Sequence, residues 1–236
     1  MSEQLDELAE AMHGLTQALE DDRLEPVLFE VICAEAVRAV PGADMASVTV
    51  IRSGKGETAA TTDPRAEQVD AAQYAAGEGP CLQAAETGEI VRLSLPAADL
   101  HWPEFTDVAA DLGIGSYLAA PLRVDERLSG ALNLFGFGDH GFRELDSQLL
   151  KVYVTVVTFG LRTHHRYRDV RSRAEQLDHA MSSRAVIEQA KGMLMAIHRI
   201  DADEAMNRLV VESQTTNTKL RDIALRFVTA VSDKGA

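Results

Sequence analysis

A chain of 236 residues is longer than one ordinary domain and short for two large ones, and its 46% hydrophobic and 25% charged residues suit a soluble protein with one middle-sized domain and a smaller module. No run approaches 18 uncharged apolar residues, which excludes a membrane span, and the acidic start MSEQLDELAEAMHGL lacks the basic region and apolar core of a secretory signal, so the expected location is the cytoplasm. The net charge of −14 speaks against indiscriminate coating of nucleic acid, and two cysteines, Cys33 and Cys81, are too few for a disulfide framework or a four-ligand zinc site.

At the amino terminus Leu5, Leu8, Met12, Leu15 and Leu19 recur at spacings of three and four, an apolar seam along a helix that asks for a helical partner. That partner is either a second protomer or another helix of this chain, and the periodicity does not choose. Pro26 suits the first turn of a second helix, with Val27, Val31, Ile32 and Val37 on its buried side as far as Pro41-Gly42. From MASVTVIRSGKGETAATTD the period becomes two, which predicts a strand, a turn at Gly-Lys-Gly and a second strand.

A helix is expected over 64–76, a turn into a short helix at GEGPCLQAAETGE, a strand at IVRLSL, and a helix at WPEFTDVAADLG closed by Gly113. Two further strands, SYLAAPLRVDE and RLSGALNLFGF, are joined at Asp125-Glu126. Strand pairs with helices between and around them indicate an α+β domain with a largely antiparallel sheet.

From Glu144 to Ile200 the period is helical and no proline intervenes, so one very long helix is expected, with GLRTHHRYRDVRSRAEQL as an exposed bridge. Residues 172–236 hold nine basic and nine acidic residues, so the whole acidic excess lies upstream. A neutral tail preceded by the basic run RTHHRYRDVRSR can meet a polyanion while the acidic body stays away.

The tail divides into three helices. Val186, Ile187, Ala190, Met193, Leu194 and Ile197 form one apolar arc; Arg184, Glu188 and Lys191 form an ionic strip; Ala185, Gly192 and Ala196 form a strip of small residues that lets another backbone come close. Asp201 with Glu204 is an N-capping pair for a second helix, and Asn217 is placed to cap a third, whose Leu220, Ile223, Ala224, Phe227, Val228 and Val231 complete a small bundle. Arg184, Lys191, Arg208, Lys219, Arg221 and Arg226 remain outside. Ser213, Gln214 and Asn217 add hydroxyl and amide groups among these cations, a mixture that suits phosphate and base-edge contacts.

The stretch SRAVIEQAKGMLMAIHRIDADEAMNRLVVESQTTNTKLRDIA, residues 183–224, resembles the ANTAR module through S-R-x-x-I-E-x-A-K-G-x-L-M, then A-x-x-x-L, then S-Q-x-x-N-x-K-L-R-D-x-A. GEGPCLQAAETGEIV, WPEFTDVAADLGIGSYLAAPL and LSGALNLFGF resemble the GAF sensor fold. The resemblance implies an α+β fold, a GAF-like antiparallel sheet with flanking helices over 25–160 and an all-α three-helix ANTAR module at 176–236; the helical period makes 161–175 a helical linker, and the leucine seam makes 1–24 an amino-terminal helix and a candidate coiled-coil or dimer element. The resemblance also implies a signal-responsive transcription antitermination regulator that binds paired RNA hairpin loops as a homodimer. Together with the cations, hydroxyl and amides above, that reading makes Arg184, Lys191, Ser213, Gln214, Asn217, Lys219 and Arg221 the candidate RNA-binding residues. A small-molecule ligand of the sensor stays unassigned: Asn133 is followed by Leu-Phe-Gly-Phe, unlike the cyclic-nucleotide pattern, and Cys81 has no chromophore-attachment signature.

Two other readings compete. The tail could be a DNA-binding helix-turn-helix with residues 218–231 as recognition helix, although Asp222 sits among its few cations; or the chain could be a protein-protein signalling module. An enzyme is not expected: no phosphate-loop lysine follows the glycine turns, and the pair His164-His165 is expected in a basic helix with no acidic or thiol ligands near it. No metal or catalytic residue is assigned. Cys81 at a helix start reads as a thiol packed on the sheet rather than a nucleophile, and Trp102 and Phe105 as core.

Overall fold

The structure of the protein is a computed structural model that describes residues 2–21, 23–95, 101–125 and 128–232. The chain forms two compact units, the first ending at Arg166 and the second beginning at Tyr167.

The first unit is built on a five-stranded antiparallel sheet in the order β2-β1-β5-β4-β3, from β1 (Met45–Arg52), β2 (Lys55–Thr61), β3 (Val91–Ser94), β4 (Ser116–Arg123) and β5 (Ser129–Gly136). The first hairpin turns one residue earlier than its glycines suggest. Arg52 pairs with Lys55, so Lys55 and Gly56 belong to β2, and the turn is Ser53-Gly54 with φ of 52° and 78°. Two consecutive left-handed residues are what a two-residue hairpin needs to match the strand twist. At the second expected turn, Glu126 lies outside the described residues.

Helices cover both faces, which is why β1 is buried at six successive positions. On one face Val48, Val50, Leu118, Leu122, Leu132 and Leu134 pack against α1 (Ser2–Glu20), α2 (Glu25–Ala39) and the start of the long helix α6 (Glu144–His198). On the other face Met45, Tyr117, Ala131 and Phe135 meet α3 (Pro64–Ala76), α4 (Pro80–Thr87) and α5 (Pro103–Asp111).

The amino-terminal seam finds its partner within the chain. Leu8, Ala11, Leu15 and Ala18 are buried, whereas Leu5 at the start of the expected seam is 56% exposed. A Cβ on Gly160 of α6 would lie 2.5 Å from Leu19 Cδ1, so the glycine permits the close passage of that leucine. In α2 the buried stripe is Leu28, Phe29, Ile32, Cys33, Ala36 and Ala39. Of the expected valines, Val27 is exposed and Val31 and Val37 lie at the rim, because the sheet and α6 meet α2 on the neighbouring stripe. The Tyr153 hydroxyl donates to the Ile32 carbonyl at 3.0 Å, tying α6 to α2.

The second unit contains the rest of α6, then α7 (Ala202–Thr216) and α8 (Leu220–Ser232). The long helix ends at His198 rather than Ile200: Arg199 is left-handed with φ of 56°, and Ile200 turns into the bundle core. The Asp201 carboxylate accepts from the Glu204 amide at 2.8 Å, the cap expected there. Asn217 caps the end of α7, not the start of α8. It is left-handed, φ 49°, with its amide bonded to the Gln214 carbonyl and the Thr218 amide to the Ser213 carbonyl, the paired bonds of a Schellman closure. The core consists of Ala190, Leu194, Ala205, Leu209, Ile223 and Ala224, flanked by Val186, Ile187, Met195, Leu220, Phe227 and Val228. Met195 takes the place expected for Met193, and Ile197 is exposed.

Candidate functional site

The cations singled out in the tail are unequal once their neighbours are known. Lys191 is only 22% exposed, and its Nζ lies 2.5 Å from Glu188 Oε2. This bond holds the Glu188 carboxyl below its usual range, with the charges of Lys191 and Arg184 adding to the effect. Arg184 is exposed beside the same carboxylate. Lys191 is therefore half-sheltered and shares its charge with Glu188.

The turn between α7 and α8 gathers the polar candidates. Ser213 Oγ donates to the Thr218 carbonyl at 2.6 Å, so its hydroxyl belongs to the closure of α7. Gln214, Asn217 and Lys219 are exposed on that turn. Arg221, half-buried at the start of α8, places Nη1 2.6 Å from His179 Nε2 on α6. Spacing gives no link between His179 and Arg221: 42 residues separate them, and only the folding of α8 against α6 brings them together. The small strip of Ala185, Gly192 and Ala196 is exposed, and a Cβ on Gly192 would meet nothing within 4 Å. Nothing described in the chain packs on that glycine.

The sensor unit hides a second polar cluster, on the sheet face covered by α3 and α4. Asp70 is fully buried. Its Oδ2 accepts from Ser47 Oγ at 2.6 Å and Thr58 Oγ1 at 3.2 Å, and its Oδ1 from Asn133 Nδ2 at 3.4 Å. Asn133 Nδ2 also donates to Ser47 Oγ and Thr49 Oγ1, at 3.0 and 2.8 Å. Tyr74 shares hydrogen bonds with Thr49 and Thr58, and Gln73 Nε2 donates to the Tyr117 phenol oxygen at 3.3 Å. Burial without a cation raises the Asp70 carboxyl to about 7, against the lowering effect of its hydroxyl donors.

These side chains fill the space between the sheet and the two helices, and Tyr117 stands edge-on to Phe105 and Phe135 at 5.2 and 5.0 Å. Cys81 is fully buried here, its amide donating to Gln73 Oε1 at 2.9 Å. Burial pushes its thiol up despite its place in the first turn of α4. Phe105 is core and Trp102 packs partly against it. The cluster has a sequence signal: Ala66, Val69, Asp70 and Gln73 fall at helical spacing on one face of α3, with a carboxylate in the stripe.

His164 and His165 are not remote from acids. His165 Nδ1 lies 2.8 Å from Asp125 Oδ2 and Nε2 3.1 Å from Glu25 Oε1, and His164 is buried. The reason is tertiary, since residues distant by 40 and 140 positions close on this turn of α6. Among the described residues no group of three or more His, Cys, Asp or Glu is placed to hold a metal ion, and no helix is long and apolar enough to cross a membrane.

The family model of the GAF domain matches residues 23–162, and that of the ANTAR domain matches residues 175–228. No curated protein matches the chain. Among solved structures, the GAF domain of a phosphoenolpyruvate-protein phosphotransferase from Coxiella burnetii is 18% identical, with a TM-score of 0.51 over 69% of this chain and 96% of that one. The phycoerythrobilin-bound GAF domain of a cyanobacterial phytochrome is 11% identical, with a TM-score of 0.52 over 68% and 97%. The reduced form of fRMsr of Staphylococcus aureus is 12% identical, with a TM-score of 0.51 over 65% and 94%. At such identities the likeness is one of fold.

Proposed function

From a chain that belongs to the GAF domain family and carries an ANTAR domain behind it, the architecture of a signal-responsive regulator, we infer that the tail binds hairpin RNA as a homodimer and acts by transcription antitermination. The observation that carries this reading is the exposed turn after α7. Gln214 and Asn217 present amides there, Lys219 is exposed beside them, and Arg221 follows at the start of α8. Cations for phosphate and amides for base edges stand together on one turn held in shape by the Ser213 hydroxyl and the left-handed Asn217. Lys191 and Arg184 add a second basic strip on α6.

A row along α6 supports the homodimer. Tyr167, Val170, Leu177 and Met181 are exposed at spacings of three, seven and four, and at 100° per residue Ala185, Gly192 and Ala196 continue the same face. Glu188 interrupts it. Large apolar groups followed by small ones suit a second copy of the helix that comes nearest at Gly192. With the amino-terminal seam occupied inside the chain, this row takes over the role of dimer face. Two tails held together engage two RNA loops at once, and avidity lets a module of zero net charge bind well.

Competition between a two-hairpin RNA and a duplex DNA of equal length, with the full chain at fixed salt, tests the reading. Preference for the RNA, lost when one hairpin is removed, is the expected result. Equal or stronger retention of the DNA would refute it.

A further inference from the structure

A groove of about 1060 Å³ runs between α6, the end of α4 and the outer strands β3 and β4, on the opposite face of the sheet from the Asp70 cluster. Its lining is locally basic in a chain of net charge −14: Arg92, Arg123, Lys151 and Arg162 against Glu89 and Glu144.

The arginines are fixed by backbone carbonyls. Arg123 Nη2 donates to the carbonyls of Ala85 and Glu86 at 2.8 and 2.6 Å, and Arg162 donates through Nε to Val124 and through Nη2 to Arg123, at 2.8 and 3.2 Å. Gly88, left-handed with φ of 77°, makes room for Arg123: a Cβ there would lie 3.0 Å from its Nη1. A carbonyl orients a guanidinium without cancelling its charge, and a carboxylate cancels it. Arg92 has such a carboxylate, Glu144 at 3.6 Å. Among the described residues Arg123, Arg162 and Lys151 have none within ion-pair distance.

The rest of the wall is apolar or hydroxylic. Ile90, Val154 and Phe159 supply carbon surface, and Thr155 and Thr158 supply hydroxyls. Ser147, also in the wall, has a buried Oγ without a hydrogen-bond partner among the described residues. The volume matches a small-molecule site, with oriented cations and an apolar wall.

We propose that this groove is the sensor's ligand site and that its ligand is an amphipathic organic anion, an apolar body with a carboxylate, phosphate or sulfonate head held by Arg123, Lys151 and Arg162. The proposal rests on the sensor reading above. It places the signal against α6, the helix that runs on into the tail unit, while the α3–α4 face is taken up by the protein's own side chains.

The probe is anilinonaphthalene sulfonate, an aromatic anion that fluoresces on leaving water, titrated into the full chain beside the uncharged N-phenylnaphthylamine. Saturable binding of one anion per chain is expected, with weaker binding of the neutral dye. Lys151→Glu should weaken the anion by about tenfold or more, the loss of one charge-assisted contact, and Lys151→Gln by less. Lys55→Glu, on the opposite edge of the sheet, should leave it unchanged. Absence of saturation, equal binding of the neutral dye, or indifference to Lys151→Glu in a protein of unchanged circular dichroism overturns the proposal. Self-association that blocks the dye as protein concentration rises does so too, because the groove would then be a dimer contact. RNA affinity measured without dye on the same samples separates the two readings: RNA bound without dye defeats the groove alone, and dye bound without RNA defeats the tail's function alone.

Discussion

Arg221 Nη1 and His179 Nε2 are 2.6 Å apart, a contact that joins α8 to α6 within the tail. A guanidinium has only donors, so the imidazole accepts through Nε2 and carries its proton on Nδ1. The contact holds the Arg221 guanidinium against α6. Arg221→Ala is expected to weaken RNA binding by roughly tenfold, the range of a charge-assisted hydrogen bond, and to lower the slope of log affinity against log salt by about 0.7. His179→Ala should retain the slope, because the charge survives. Titrations at several salt concentrations decide this, and an unchanged slope for the arginine variant removes Arg221 from the interface.

On the proposed RNA reading, Glu188 is a competitor of the RNA phosphates for Lys191. Glu188→Gln is expected to raise RNA affinity a few-fold, and Lys191→Ala to lower it, since the first removes an anion 2.5 Å from the lysine and the second removes the lysine charge. Filter binding at low and moderate salt reads both. Weaker RNA binding by a folded Glu188→Gln variant would show that the pair serves the helix rather than the ligand.

Gly192 separates folding from assembly. Among the described residues nothing lies within 4 Å of a Cβ placed on it, so Gly192→Ala should stabilise the tail by up to about 1 kcal/mol through helix propensity. A partner helix lying on the strip would be pushed away by the new methyl. A higher melting temperature together with a weaker dimer in sedimentation is the expected pair of results; a dimer of unchanged strength moves the contact elsewhere.

Met181, 72% exposed in the same row, makes the complementary case. Met181→Glu should leave helix content unchanged, dissociate the dimer at micromolar concentration, and reduce affinity for a two-hairpin RNA far more than for one hairpin. Loss of affinity for both RNAs to the same degree argues against avidity.

Asp70 predicts a pH dependence of the sensor fold. Its carboxyl is raised from 3.8 to about 7 by burial, so the folded state holds a proton that the unfolded state releases. The contribution is fully present below about pH 4 and is lost as pH rises through about 7, a change of roughly 4 kcal/mol at 1.36 kcal/mol per unit. Asp70→Asn keeps the shape without the charge. The stability difference between wild type and Asp70→Asn in urea should therefore shift in favour of the variant between pH 5 and 8. A difference that stays flat over that range means the carboxylate is stabilised as an anion.

Much of this protein was legible in order along the chain. The change of period from helix to strand and back located the sheet and the long helix, and the cap at Asp201 was evident from an aspartate three residues before a glutamate. The motif around Lys191 and Gly192 identified the tail. Structure and sequence differ where two local solutions have similar chemistry. Ser53-Gly54 and Gly54-Lys55-Gly56 both offer left-handed turns, and only the register of β1 on β2 selects the first. Asn217 can cap either a helix start or a helix end, and the bond from the Thr218 amide to the Ser213 carbonyl chooses the end.

The sequence by itself determined which elements form, in what order, and to which families they belong, because hydrophobic period, caps and motif residues act within a few positions of one another. Tertiary structure alone decided which of the exposed-looking groups are engaged. It turned the amino-terminal seam inward onto α2 and α6, set Arg221 against His179, enclosed Asp70 among hydroxyls, and left Gly192 open. Each of these outcomes depends on a neighbour tens of residues away, whose distance is fixed by packing and not by spacing along the chain.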